Sequence, residues 1–204
     1  MEKINYDKKM QEQISKMQGR PKLLLHSCCG PCSTAVIERV AEVFDVTVFY
    51  YNPNIDDREE YELRRANQER YIRARYGDEG VVKFLEGKYD PERFLALVRG
   101  HEEDPEGGSR CGICFEMRLE EAARKARELG FDYFTTTLTV SPMKNAQVIN
   151  PLGERIGEEH RIPYLFSDFK KRGGYQRSIE LAREYGLYRQ HFCGCGFSRR
   201  EMED

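Results

Sequence analysis

Leu23-Leu24-Leu25-His26-Ser27-Cys28-Cys29-Gly30-Pro31-Cys32 is the stretch whose reading decides the fold. Lys22–His26 is a short apolar run that reads as a buried strand. Gly30-Pro31 then turns the chain into a helical pattern running from Ser33 to Phe44. The same alternation recurs downstream. Asp45–Tyr51 is β-branched and aromatic, a second strand, and Asn52-Pro53-Asn54 is turn chemistry before a charged helix from Arg58 to Tyr76. Val81–Leu85 reads as a third strand, and Pro91 opens a helix reaching Val98. After the loop His101–Ser109, a helix spans Ile113–Leu129, then a strand Asp132–Leu138 and a helix Asn145–Glu158. Ile162–Phe166 reads as a fifth strand and Tyr175–Tyr185 as a helix, with a tail from Gly186 onward. Residues 5–18 form a short polar helix ahead of Pro21. Strands alternating with helices predict an α/β fold with a parallel sheet flanked by helices. Residues 1–204 are expected to form a single α/β domain with a cysteine-bearing C-terminal tail.

In such sheets the ligand crevice lies beyond the carboxyl ends of the strands. Nucleotide enzymes often place a glycine-rich phosphate loop there; this chain places cysteines. All 7 cysteines fall in three clusters, namely Cys28, Cys29 and Cys32, then Cys111 and Cys114, then Cys193 and Cys195. Thiols at such spacings can aim several sulfurs at one centre, as zinc or iron–sulfur ligation demands. A disulfide framework fits poorly, because the count is odd and the chain is long enough for an ordinary core. The adjacent Cys28 and Cys29 point in different directions, which hints at two neighbouring metal centres. Thiolates at a helix start have lowered pKa values and bind metals readily. The bland alternative is that some of these thiols are small buried hydrophobes.

The composition narrows the setting. Net charge is −2 and mean hydropathy −0.74, so no global basic field advertises nucleic acid, although local Lys/Arg patches suffice to bind RNA. No apolar run approaches the ~20 residues of a membrane span. The polar N-terminus has no apolar signal region, so a cytoplasmic location is expected, where thiols stay reduced.

LLLHSCCGPCS, then YYNPNI and EYELR, then RCGICFEMR, then HFCGCGFS, together resemble the cobalamin-independent epoxyqueuosine reductase family (QueH). The likeness covers roughly residues 22 to 198, with the motifs in family order. It implies a HUP-like (adenine nucleotide alpha-hydrolase-like) fold whose nucleotide loop has become a metal site at the crevice end of the strands. It further implies a [4Fe–4S] cluster beside a mononuclear iron held by cysteines and an aspartate. The implied reaction removes the epoxide oxygen of epoxyqueuosine at the tRNA wobble position. Its partners would be tRNA bearing epoxyqueuosine and a low-potential, ferredoxin- or flavodoxin-like electron donor.

On these residues, the resemblance implies metal ligands among Cys28, Cys29, Cys32, Cys111, Cys114, Cys193 and Cys195, without saying which serves which metal. Asp90 best matches the family aspartate; read alone, it can simply cap the helix opening at Pro91. Cys29 and His26 join Asp90 as catalytic candidates. His26 can donate a proton or orient a ligand, or it can be a packed strand-end histidine. Asn52, Asn54, Glu60, Tyr61 and Arg64 sit on the expected rim, where they can read the modified base or merely form a turn and a solvated helix face. Lys170, Lys171 and Arg172 make the best basic loop for tRNA phosphates, against the reading that short charge runs are just solvated. Arg110 and Arg118 flank the second clip, placed to tune cluster charge or touch RNA.

Two rival functions are open on sequence grounds. An iron–sulfur-dependent tRNA sulfur transferase can share the fold and the clips, but it needs an ATP-binding loop after the first strand, and HSCCGPCS offers none. A zinc-stabilised RNA-binding module without catalysis predicts colourless protein with zinc and no acid-labile sulfide.

Overall fold

The computed structural model describes residues 3–77 and 80–203. Its centre is a four-stranded, all-parallel sheet of β1 (Lys22–Ser27), β2 (Asp45–Tyr50), β3 (Val82–Glu86) and β4 (Tyr133–Thr136), in the order β3-β2-β1-β4. Helices α1 (Tyr6–Ile14), α2 (Gly30–Val40), α3 (Arg58–Tyr76), α4 (Pro91–Leu97), α5 (Ser109–Glu128), α6 (Ala146–His160), α7 (Gly174–Glu184) and α8 (Gly196–Glu203) complete it. A 3-10 turn, Thr137–Val140, follows β4 directly.

The central strand shows why both faces must be covered. Side chains alternate across a strand. Leu23 and Leu25 enter a core with Val36, Ile37, Val46, Val48, Tyr71 and Ala182, from β2 and from α2, α3 and α7. Leu24 enters the opposite core with Phe49, Leu119, Ala122, Phe134, Ile149 and Ile156, which brings in α5 and α6. Leu23, Leu24 and Leu25 are all fully buried. Two-sided burial explains why LLL reads as an unbroken apolar run rather than an alternating one.

Four expectations shift in detail. The fifth strand shrinks to one parallel bridge, Phe134 to Tyr164, flanked by hydrogen bonds Phe134 N→Pro163 O at 3.1 Å and Leu165 N→Phe134 O at 2.9 Å. Pro163 has no N–H to give, so no ladder can extend through it. The strand expected to reach Leu138 ends at Thr136, where the Thr136 hydroxyl accepts from Leu138 N at 3.2 Å and starts the 3-10 turn. The helix expected from Ile113 begins at Ser109, so both Cys111 and Cys114 lie on it. The tail carries α8, a helix the polar C-terminal sequence had not announced.

β1 pairs with β2 on one side and β4 on the other. Strand order therefore reverses between β1 and β4, the topological switch point where open α/β sheets bind ligands. Ser27 ends β1 and Thr136 ends β4, and the first cysteine cluster follows Ser27 immediately. Among the described residues no helix is long and apolar enough to cross a membrane.

Candidate metal centre

Cys29 occupies the cap position of α2 in extended backbone, with Pro31 in the first helical turn. Proline suits that place because the amide it lacks has no helical partner there. The three sulfurs of Cys28, Cys29 and Cys32 lie within 4.8 Å of one another. Cys28 Sγ is 3.9 Å from Cys29 Sγ and 3.6 Å from the Thr137 hydroxyl, so the cluster leans against the turn after β4. This bears on the expectation that the two neighbours diverge to separate centres: the chain turns both sulfurs to one side.

Cys28 is the most acidic thiol of this trio. Hydrogen bonds from Cys29 and then Cys32 hold its pKa well below that of an ordinary thiol. The contact with Cys28, first among the causes, pushes Cys29 up to about 12, and those with Cys28 and then Cys29 hold Cys32 well above its ordinary value. Gln190, from the tail, adds a hydrogen bond from Nε2 to Cys29 Sγ at 2.8 Å. Three close sulfurs, one of them with a depressed pKa, suit a metal ion, which deprotonates coordinating thiols outright.

The other four cysteines assemble separately. Cys111 and Cys114 stand three residues apart at the start of α5, a spacing that puts them on one helix face. Cys193 and Cys195 come from the tail, turned by Gly194 at φ +118, a conformation open to glycine. A side chain at Gly194 would also meet Arg64 Nη1 and Ile55 Cγ1 at 3.0 Å each. All four line one narrow cavity together with Asn54, Arg118 and Lys144. Burial raises the Cys111 thiol and pushes Cys114 up to about 12. Four thiols around one cavity match the donor set of a cubane cluster, which keeps its ligands further apart than a single ion does.

A wider cavity, of about 390 Å³ and open to solvent, adjoins the first. Cys28, Cys32, Gln190 and Phe192 line it, and Arg118, Lys144 and Cys193 line both. Its size meets the usual range of ligand pockets, about 300–1,000 Å³.

The structure gives several expected site residues other employment. His26 is fully buried. Its Nε2 lies 3.0 Å from the Tyr51 carbonyl, to which it donates, and Nδ1 lies 2.9 Å from the Thr136 hydroxyl, from which it accepts. Burial first, then the positive Arg118, lowers its pKa to about 4. Both nitrogens are engaged and the ring lines neither cavity, which is the packed strand-end reading. Asp90 caps α4, accepting from Arg93 N at 3.4 Å and pairing with Lys88 at 2.8 Å. It lines neither cysteine cavity.

The rim residues divide. Glu60 and Arg64 form a buried ion pair at 2.6 Å. Arg64 reaches on to the carbonyls of Cys193 at 3.1 Å and Phe192 at 3.4 Å, while the Tyr188 hydroxyl donates to Glu60 Oε2 at 3.0 Å. The pair thus clamps the tail that carries Cys193. Tyr61 is buried against Tyr50 and Tyr89. Asn52 Nδ2 donates to the Ser27 carbonyl at 2.9 Å and ties the turn after β2 to the end of β1. Asn54 lines the four-cysteine cavity, with Oδ1 buried and unpartnered. Lys170 pairs with Asp168 at 3.0 Å and Arg172 with Asp7 at 2.9 Å, whereas Lys171 is exposed.

Sequence reasoning passed over Lys144 and Gln190. Lys144 sits in the loop between the 3-10 turn and α6, and its Nζ lies 3.5 Å from Cys193 Sγ. Its position just past the carboxyl end of a strand was the available signal. Gln190 stands three residues before Cys193, and nothing in its type marked it.

Comparison with known proteins converges on one family. Residues 23–201 match the family model "Epoxyqueuosine reductase QueH". The chain is 47% identical to an epoxyqueuosine reductase QueH of Staphylococcus epidermidis, over 97% of this chain and 85% of that protein. It is 44% identical to the protein of that name from Streptococcus pyogenes, over 98% of this chain and 80% of the relative. The one from Thermotoga maritima is 34% identical over 89% of this chain and 92% of its own length.

Proposed function

This chain belongs to the epoxyqueuosine reductase QueH family, and from that premise we propose that it is a cytoplasmic iron–sulfur enzyme removing the epoxide oxygen of epoxyqueuosine in tRNA. The observation that carries the reading is the pair of adjoining thiol sites at the switch point of the sheet, one of three sulfurs and one of four. The donor chemistry fits both implied groups. Cys111, Cys114, Cys193 and Cys195 would hold a [4Fe–4S] cluster, and Cys28, Cys29 and Cys32 a mononuclear iron. When bound, the cluster supplies single electrons and the iron supplies a Lewis acid for the epoxide oxygen.

Two electrons and two protons convert the epoxide to an alkene and water. The electrons come from a low-potential ferredoxin- or flavodoxin-like donor. The protein's own part is to receive an unstacked anticodon-loop nucleotide and hold it beside the three-cysteine site. The wide cavity offers Leu138, Pro142, Met143 and Phe192 as apolar walls that exclude water from the reacting ring. Gln190 holds the Cys29 sulfur in place. Tyr175 and Arg189, joined at 3.2 Å on the rim, offer a ring and a guanidinium to a neighbouring base and phosphate, and the exposed Lys171 adds charge nearby.

Mass spectrometry of digested tRNA tests the reading. Reduced, metal-replete protein given tRNA bearing epoxyqueuosine should yield a nucleoside lighter by one oxygen, without ATP. An untouched epoxide, or ATP-dependent addition of sulfur to a base, would overturn it.

A further inference from the structure

Arg118 is 1% exposed, yet it lines both cavities. Its Nε donates to the Cys114 carbonyl at 3.1 Å, one turn back along α5. Its Nη2 is buried and has no hydrogen-bond partner among the described residues. Lys144 lines the same two cavities from the opposite loop and reaches Cys193 Sγ. Among the described residues, no carboxylate pairs with either cation. Glu106 also lines both cavities, from an exposed position.

A guanidinium stays protonated in proteins, so burial cannot neutralise it. An unpaired buried cation is strongly unfavourable, and a fold keeps one where an anion arrives to meet it. We propose that Arg118 and Lys144 form a cationic partition between the two thiol sites, whose counter-ion is the anionic iron–sulfur centre held by Cys111, Cys114, Cys193 and Cys195. The inference rests on the reading that these four thiols hold a cluster, and it is independent of the substrate. Four thiolates leave such a centre negatively charged, and reduction adds one more negative charge. Fixed positive charge beside it therefore favours the reduced form, and an N–H from Arg118 Nη2 to a sulfur acts in the same direction. The partition thus sets how readily the centre accepts an electron, in the wall it shares with the substrate cavity.

The test is a dye-mediated redox titration of the anaerobically reconstituted full chain, followed by the electron paramagnetic resonance signal of the reduced cluster. Arg118→Gln and Lys144→Gln should each move the midpoint to more negative potential, while Arg118→Lys stays near wild type. A purely structural role would lower stability and leave the midpoint in place. If Arg118→Gln fails to retain iron and sulfide while Arg118→Lys retains them, the counter-ion role is supported directly. Should both arginine variants fail to load, the Lys144→Gln midpoint decides. A second readout is the melting temperature of Arg118→Met. Relief of the lone charge should raise it in metal-free protein, and loss of the counter-ion should lower it in loaded protein. Unchanged midpoints in loaded Arg118→Gln and Lys144→Gln overturn the partition alone; wild-type protein that takes zinc without sulfide overturns the cluster reading with it.

Discussion

Gln190 Nε2 donates to Cys29 Sγ at 2.8 Å, and that contact joins the tail to the loop after the first strand. Gln190 Oε1 is buried without a partner. Replacing it with Leu removes a hydrogen bond to a sulfur of the proposed metal site, worth about 1.5–3 kcal/mol when the partner is charged. Turnover of epoxyqueuosine should fall by about ten-fold or more, since ~1.4 kcal/mol is a factor of ten. Iron and sulfide content should hold, because no cluster ligand is touched. Steady-state kinetics beside metal analysis checks both halves.

The two thiol sites predict different losses. Cys114→Ala or Cys195→Ala should abolish acid-labile sulfide and most of the iron. Cys29→Ala or Cys32→Ala should keep about four sulfides, as one cubane requires, and lose about one iron. Turnover should vanish in all four. Anaerobic iron and sulfide determination separates the classes, and sulfide loss on Cys32→Ala would reverse the allocation.

Asp90 supplies a sharp test of what the family resemblance implied. Its carboxyl is held below the usual range by Lys88 first, with the Arg93 amide and charge assisting. As the cap of α4 it should tolerate Asp90→Asn with full iron content, and Asp90→Ala should lower the melting temperature without removing metal. Loss of one iron per chain in both variants would restore the ligand role.

The buried Glu60–Arg64 pair should behave as a clamp. Arg64→Met leaves the Glu60 carboxylate, among the described residues, with the Tyr188 hydroxyl as its partner and frees the Cys193 and Phe192 carbonyls. Breaking one partner of a buried pair costs about 3–5 kcal/mol. Denaturant unfolding should register that loss, and cluster loading should fall although no cysteine has changed.

Acid should loosen the contact between α2 and α7. The Arg177 hydrogen bond, first among the causes, holds Glu38 below the ordinary carboxylate pKa. A depressed folded value means that the pair's stabilisation is present above the unfolded glutamate pKa of about 4.3 and is lost as pH falls through the folded one. Both groups are partly exposed, so the contribution stays below about 1 kcal/mol. Glu38→Gln should flatten the acid limb of a stability–pH curve slightly.

The sheet was legible because burial on both faces writes continuous apolar runs, as in LLL and DVTVFYY. The site's location followed from that, since the cysteines sit where strands end. Boundaries were less legible. The strand at Ile162–Phe166 has the right residues, but Pro163 stops the ladder. The partition of seven thiols into three and four was hidden because it depends on where a tail folds back, and no local pattern encodes that. Glu60 and Arg64 looked like a solvated helix face because i,i+4 spacing reads the same whether the pair meets water or a tail loop. Lys144 was invisible for a related reason: its importance comes from the thiols around it.

Gly194 has a consequence for the order of events in the cell. The segment after Gly186 brings Cys193, Cys195 and Gln190, so both sites are finished by a segment that follows all four strands of the sheet in the chain. Until that segment folds back, Cys28, Cys29 and Cys32 lack Gln190, and the clip on α5 has only half its thiols. A metal centre drawing on both the strand-end thiols and the tail would therefore form only once the tail closes, with the turn at Gly194 as its latch.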